Sequence, residues 1–127
     1  MTTFTPDRLA ALVARFERYL VSMPGGCRVW TGAKSKGGQR PWSGPYGSFW
    51  VDKEHNTVRA HVFAAFVAGK LTELRLPPGL QLDHTCDHGT LCVDCTELVP
   101  GSENLKRGRA KGRKKMTCHE ERVLSSP

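Results

Sequence analysis

One stretch in the last third of the chain concentrates the residue types that carry out metal and acid–base chemistry. The pair Asp83–His84 is followed by Cys86, by Cys92 and Cys95, and then by Asn104. A neutral imidazole can take a proton from water at neutral pH. Carboxylate and carboxamide oxygens bind hard divalent cations, whereas cysteine thiolates bind zinc. The stretch therefore combines ligands for a catalytic cation with ligands for a structural zinc.

The cysteines have the spacing of metal ligands. Cys92 and Cys95 are separated by two residues, which lets two thiolates bind one tetrahedral zinc, and Cys86 lies six residues upstream of Cys92. A fourth ligand is needed to close the site. His88 is the local candidate and Cys27 is the distant one. The odd total of five cysteines, three of them clustered with His and Asp, favours metal over disulfides in a reducing compartment.

Composition indicates one small domain with a thin core. The chain has 127 residues, of which 39% are hydrophobic, with 13 Gly and 8 Pro. A core of this kind benefits from a metal that cross-links it. No apolar run reaches the roughly 18 residues of a membrane span, and charged residues interrupt the N-terminal apolar positions. We therefore expect an intracellular, cytoplasmic protein without membrane association.

The positive charge is concentrated in one short segment. The chain has 19 basic and 12 acidic residues, and seven of the basic ones lie between residues 106 and 115, where no acidic residue occurs. Without this segment the charges balance at 12 against 12. The seven are Lys106, Arg107, Arg109, Lys111, Arg113, Lys114 and Lys115. Such a run binds polyanions, and DNA is the expected partner; a solvated tail is the alternative.

Local patterns predict the elements that position these residues. Thr5-Pro6-Asp7 is a good helix start, and apolar residues at helical spacing extend that helix to about residue 22. Residues 46–51 and 57–59 have strand composition, with a turn over 52–56. This predicts an antiparallel hairpin, in which Arg59 is a candidate contact to DNA.

The second half is predicted to frame the chemical residues. Residues 60–68 indicate a helix that Gly69 ends. A short strand over 80–82 leads into Asp83–His84, and a helix begins at Ser102 with Asn104 in its first turn.

The residues then resemble a known family. LDHTCDHGTLCVDCTELVPGSENLKRG (82–108) is similar to the HNH, or ββα-metal (His-Me finger), endonuclease motif, especially that of phage-type HNH nucleases and zinc-bearing His-Cys box homing endonucleases. Three upstream motifs match the phage group: Cys-x-x-Trp-Thr-Gly at 27–32, Tyr-Gly-x-Phe at 46–49 and Ala-His-x-x-Ala at 60–64. The resemblance covers about residues 26–109.

The resemblance implies a role for each matched residue. His84 matches the general base that activates water. Asp83 and Asn104 match the ligands of a catalytic Mg²⁺ or Mn²⁺. The resemblance also favours Cys27 over His88 as the fourth zinc ligand beside Cys86, Cys92 and Cys95, because in the family such a cysteine ties the first hairpin to the nuclease loop.

Two positions depart from the family pattern, which usually reads Cys-Val-Asn-Pro-x-His-Leu. Asp94 replaces the Asn, and Glu97 replaces the His. Where that His is the fourth zinc ligand, Cys95 can take its place. Asp94 is expected to hold the loop by accepting backbone hydrogen bonds. Glu97 is either an added metal ligand or a turn cap.

The expected fold is α+β: a zinc-stabilised ββα-metal core at about 80–109, an N-terminal helix at about 6–22, an antiparallel hairpin and a basic C-terminal helix or tail. Residues 1–110 form a single HNH domain and 111–127 a tail. The expected function is metal-dependent cleavage of double-stranded DNA. A monomer would nick, whereas a homodimer would cut both strands. The alternatives are a non-catalytic zinc module that binds nucleic acid and a zinc-stabilised protein-interaction domain.

Overall fold

The computed structural model describes residues 2–24, 27–35, 46–84, 91–103 and 106. For His84 it describes only the backbone. Two helices and six strands have defined bounds. In chain order they are α1 (Pro6–Glu17), β1 (Leu20–Ser22), β2 (Arg28–Trp30), β3 (Ser48–Asp52), β4 (Asn56–Arg59), α2 (Ala60–Val67), β5 (Leu80–His84) and β6 (Thr96–Pro100). The described residues 101–103 and 106 are also helical, as part of a third helix. The predicted α+β class is confirmed.

Helix α1 begins as its sequence predicts and ends earlier. Thr5 Oγ1 accepts a hydrogen bond from the Arg8 N–H at 3.2 Å, and Pro6 occupies the first turn. The predicted end at about residue 22 is wrong, because the helix stops at Glu17. Residues 20–22 instead form β1, which pairs with β2 through Leu20–Trp30 and Val21–Val29. Tertiary pairing overrides the apolar spacing here.

The predicted hairpin at residues 46–59 is present as β3 and β4. These strands pair antiparallel, with Phe49 opposite Val58 and Trp50 opposite Thr57. The turn is held by Asp52, whose Oδ1 accepts a hydrogen bond from the His55 N–H at 2.8 Å. Phe49 and Val51 are buried on one face, whereas Trp50 is exposed on the other.

The core is aromatic and lies between α1, α2 and the strands. Phe16, Trp30, Phe49 and Phe63 are buried with ring centroids 4.7 to 5.9 Å apart for the contacting pairs. Gly47 is required beside them, because a Cβ there would overlap the Trp30 ring and lie 2.9 Å from the Ala60 Cβ. The Trp-Thr-Gly and Tyr-Gly-x-Phe motifs are therefore packing motifs.

Helix α2 ends as predicted, with Gly69 at φ +83° after its last turn. Its Val62 and Ala65 pack on Leu71 and on Leu82 of β5. The α2 helix thus supports the strand that carries Asp83 and His84. Among the described residues, no helix is long and apolar enough to cross a membrane.

The local sequence pattern did not predict a strand over the residues of β6. This strand pairs antiparallel with β5 along its whole length, from Leu80–Pro100 to His84–Thr96. The Gly101 N–H donates to the Gly79 carbonyl at 2.9 Å, and the third helix begins at that end of the hairpin. Residues 91–95, which lead into β6, lie at the opposite end of the hairpin, near His84.

Candidate metal centre

Three cysteines form a buried cluster. Cys27 and Cys92 are fully buried, and Cys95 is 2% exposed. Their Sγ atoms all lie within 4.8 Å of one another. The Cys27 and Cys92 Sγ atoms are 2.6 Å apart, which is longer than the roughly 2.0 Å of a disulfide bond. Thiolates about 2.3 Å from one tetrahedral zinc lie about 3.8 Å from each other, so the grouping and burial of the three sulfurs, and not the Cys27–Cys92 distance, point to a metal. The cluster could hold a metal ion such as zinc.

Backbone pairing brings these distant cysteines together. Cys27 directly precedes β2, and Val29 of that strand forms an isolated antiparallel bridge with Cys92. The Val93 N–H donates to the Arg28 carbonyl at 3.0 Å. The Cys27 carbonyl in turn accepts from the Met23 N–H at 2.7 Å, which ties it to β1. The first hairpin therefore contacts the loop between β5 and β6 at the cysteines.

An ion pair accompanies this contact. Arg28 donates to the Asp94 carboxylate through Nη2 at 2.8 Å and Nε at 3.0 Å, and its backbone N–H donates to Oδ2 at 3.3 Å. The expectation that Asp94 accepts a backbone hydrogen bond is confirmed. The hydrogen bond to Asp94 raises the pKa of the Arg28 guanidinium, against the opposing effect of burial.

A second cation holds the other end of the same loop. Lys70, which follows α2, donates from Nζ to the Thr96 carbonyl at 2.8 Å and to the Asp94 carbonyl at 3.4 Å. Neither Lys70 nor Arg28 was predicted from the sequence to be a site residue. Arg28 directly follows Cys27, and Asp94 lies between Cys92 and Cys95. These positions could have indicated an ion pair at the cysteines. Nothing in the local sequence indicated Lys70.

The strand end beside the cysteines carries the acid–imidazole pair. Asp83 is 7% exposed, although its neighbour in the ladder, Glu97, is exposed. His84 pairs with Thr96, which directly follows Cys95. Glu97 lies within β6, opposite Asp83, and not in a turn. The predicted residues Asn104, Cys86 and His88 lie outside the described part of the chain, so their grouping with these residues stays a prediction.

The proposed DNA contacts are described only in part. Arg59 is exposed at the end of β4, and its guanidinium lies 4.2 Å from the centroid of the Tyr46 ring. Lys106 is exposed and helical. The other predicted contacts lie outside the described residues: Arg107, Arg109, Lys111, Arg113, Lys114 and Lys115. His61 is 4% exposed and lies 5.4 Å from Tyr46 between ring centroids, which favours a packing role.

Comparison of the chain with known protein families, curated proteins and solved structures finds no match.

Proposed function

We propose that this protein is a metal-dependent DNA endonuclease with a zinc-stabilised ββα-metal core. One observation carries the proposal. The β5–β6 register places the cysteine cluster at the strand end that bears Asp83 and His84, because Cys95 directly precedes Thr96, the partner of His84. The order of strand, strand and helix after residue 80 agrees with the ββα-metal arrangement that the resemblance implies.

The zinc staple is supported by the donor set. Three buried sulfurs within 4.8 Å of one another suit a structural zinc, and the resemblance adds Cys86 to Cys27, Cys92 and Cys95 in the ligand set. The metal would join Cys27 to a loop 65 residues later and thus hold the first hairpin against the β5–β6 loop. Its role is to fix the position of the strand end that carries the cutting residues.

The cutting residues are proposed to be Asp83, His84 and Asn104. Asp83 is 7% exposed and lies at the strand end next to His84, and its carboxylate is the kind of oxygen ligand that a divalent ion prefers. Asp83 and Asn104 would hold Mg²⁺ or Mn²⁺, which supplies positive charge for the phosphate and the leaving 3′ oxygen. His84 would accept the proton of the attacking water. Cleavage would leave a 5′ phosphate and a 3′ hydroxyl, as in the family.

The same arrangement fits a DNA substrate. The basic segment begins at Lys106, two residues after Asn104, so its cations would contact the DNA backbone next to the proposed cutting residues. A monomer has one such site and would nick one strand. A two-fold dimer would cut both strands of a near-palindrome.

A non-catalytic zinc module that binds nucleic acid is the second candidate. The cysteine cluster and the basic segment favour it equally, but it gives no reason for a buried Asp83 beside His84. Incubation of the purified chain with supercoiled plasmid and Mg²⁺ or Mn²⁺ separates the two. The endonuclease proposal predicts nicked or linear product with 5′ phosphate ends. DNA binding without cleavage, across several substrates and both ions, would support the module instead.

A further inference from the structure

The Arg28–Asp94 ion pair joins the two chain segments that carry the cysteines. Arg28 directly follows Cys27, and Asp94 lies between Cys92 and Cys95. Arg28 donates the three hydrogen bonds described above to the Asp94 carboxylate, at 2.8, 3.0 and 3.3 Å. The pair therefore spans the same gap that a metal bound by the cysteines would span.

The geometry of this pair restricts how the two segments can move. A guanidinium that donates through two nitrogens to one carboxylate fixes both their separation and their relative orientation. The additional bond comes from the Arg28 backbone N–H. It ties the carboxylate to the backbone beside Cys27 independently of the Arg28 side-chain conformation. The Val93 N–H returns a bond to the Arg28 carbonyl at 3.0 Å.

The pair is also partly shielded from solvent. The Asp94 side chain is 16% exposed and that of Arg28 is 37% exposed. The Glu17 carboxylate lies 3.9 Å from Arg28 Nη1, at the limit of an ion pair, so Asp94 is the principal partner of the guanidinium. Shielded bidentate pairs hold their geometry better than exposed ones.

We propose that Asp94 is a positioning residue for the metal centre. It acts through Arg28 to set the spacing of Cys27 against Cys92 and Cys95 before the metal binds, and it is not itself a ligand. The inference rests on the proposed binding of metal by the cysteines. Groups that hydrogen-bond directly to metal ligands contribute about 10- to 100-fold in metal affinity, and we expect an effect of that order from this pair.

Cobalt(II) titration of the full metal-free chain tests the inference, because thiolate-bound cobalt has its own absorption and reports the site directly. We expect Asp94→Ala to weaken cobalt binding by about 10- to 100-fold. Asp94→Asn keeps an oxygen that can accept from the Arg28 N–H, so its loss should be smaller, and it carries the test if Asp94→Ala does not fold. Asp52→Asn is the matched control, since Asp52 pairs with Arg8 and His55, and it should bind like wild type.

A double-mutant cycle tests whether Asp94 acts through Arg28. If Asp94 acts through Arg28, the Arg28→Ala and Asp94→Ala losses should not add in the double variant. Wild-type affinity in both Asp94 variants, or fully additive losses, would overturn the inference while the metal centre stands. A wild-type chain that binds neither cobalt nor zinc at the cysteines would overturn the metal centre itself.

Discussion

The Cys27 and Cys92 Sγ atoms lie 2.6 Å apart, although 65 positions separate the two residues in the sequence. A metal that joins them closes a long loop, and the loss of such a link costs on the order of 4 kcal/mol if it behaves like a covalent one. We therefore expect Cys27→Ser to lose zinc and to lower the melting temperature by about 10 °C or more. Metal analysis and calorimetry on the same preparation measure both effects.

Cys118→Ser is the control for that experiment, because Cys118 lies outside the proposed ligand set. It should keep both zinc and stability. Zinc that survives Cys27→Ser but is lost in His88→Ala would show that His88 is the fourth ligand instead.

A substitution of Asn104 distinguishes the proposed catalytic metal site from the proposed zinc site. Because the proposal gives Asn104 a ligand role only toward the catalytic ion, Asn104→Ala should reduce plasmid cleavage by more than about 100-fold. Zinc content and melting temperature should change little. Cleavage rate, metal analysis and thermal unfolding are measured side by side. A large fall in melting temperature with proportional loss of cleavage would assign Asn104 a structural role.

The cysteine cluster and the hairpin were predictable because their signals are local or motif-based. Cys92 and Cys95 have ligand spacing, and the Cys27 motif pointed to the same centre. Strand β6 was missed because Thr96–Pro100 is short, contains the charged Glu97 and ends in a proline; its identity depends on pairing with β5. The end of α1 was missed for a related reason, since residues 20–22 are apolar at helical spacing yet pair with β2. Lys70 reaches its carbonyl partners only through the tertiary fold.

Asp52 gives the hairpin turn a pH dependence. The hydrogen bond from the His55 backbone N–H, followed by contacts with the His55 ring and Arg8, lowers the pKa of the Asp52 carboxyl. A folded-state pKa below the unfolded one means that these contacts stabilise the fold above the ordinary aspartate range. The stabilisation is lost as the pH falls through the folded-state pKa.

The difference in melting temperature between wild type and Asp52→Asn should therefore be positive near neutral pH and shrink towards zero as the pH falls below the ordinary aspartate range. Thermal unfolding across this range measures it. The effect should be small, because the group is solvent-screened. A difference that stays constant with pH would contradict the contribution of Asp52.

The basic segment should make DNA binding strongly dependent on salt. Each phosphate contact contributes about 0.9 to the slope of log affinity against log salt concentration. Neutralising Lys111, Arg113, Lys114 and Lys115 to Gln should lower that slope by up to about 3.6. Fluorescence anisotropy with a labelled duplex at several salt concentrations measures it. An unchanged slope would make these residues a solvated tail.

The comparison of His84→Ala with wild type on supercoiled plasmid in Mg²⁺ tests the central claim most directly. The chain contains a second Asp–His pair, Asp52–His55, so His55→Ala is a matched control prepared in the same way. If His84 is the general base, its loss should slow cleavage by about 10²- to 10⁴-fold, while His55→Ala cuts at the wild-type rate. Equal cleavage by wild type and His84→Ala would contradict the account.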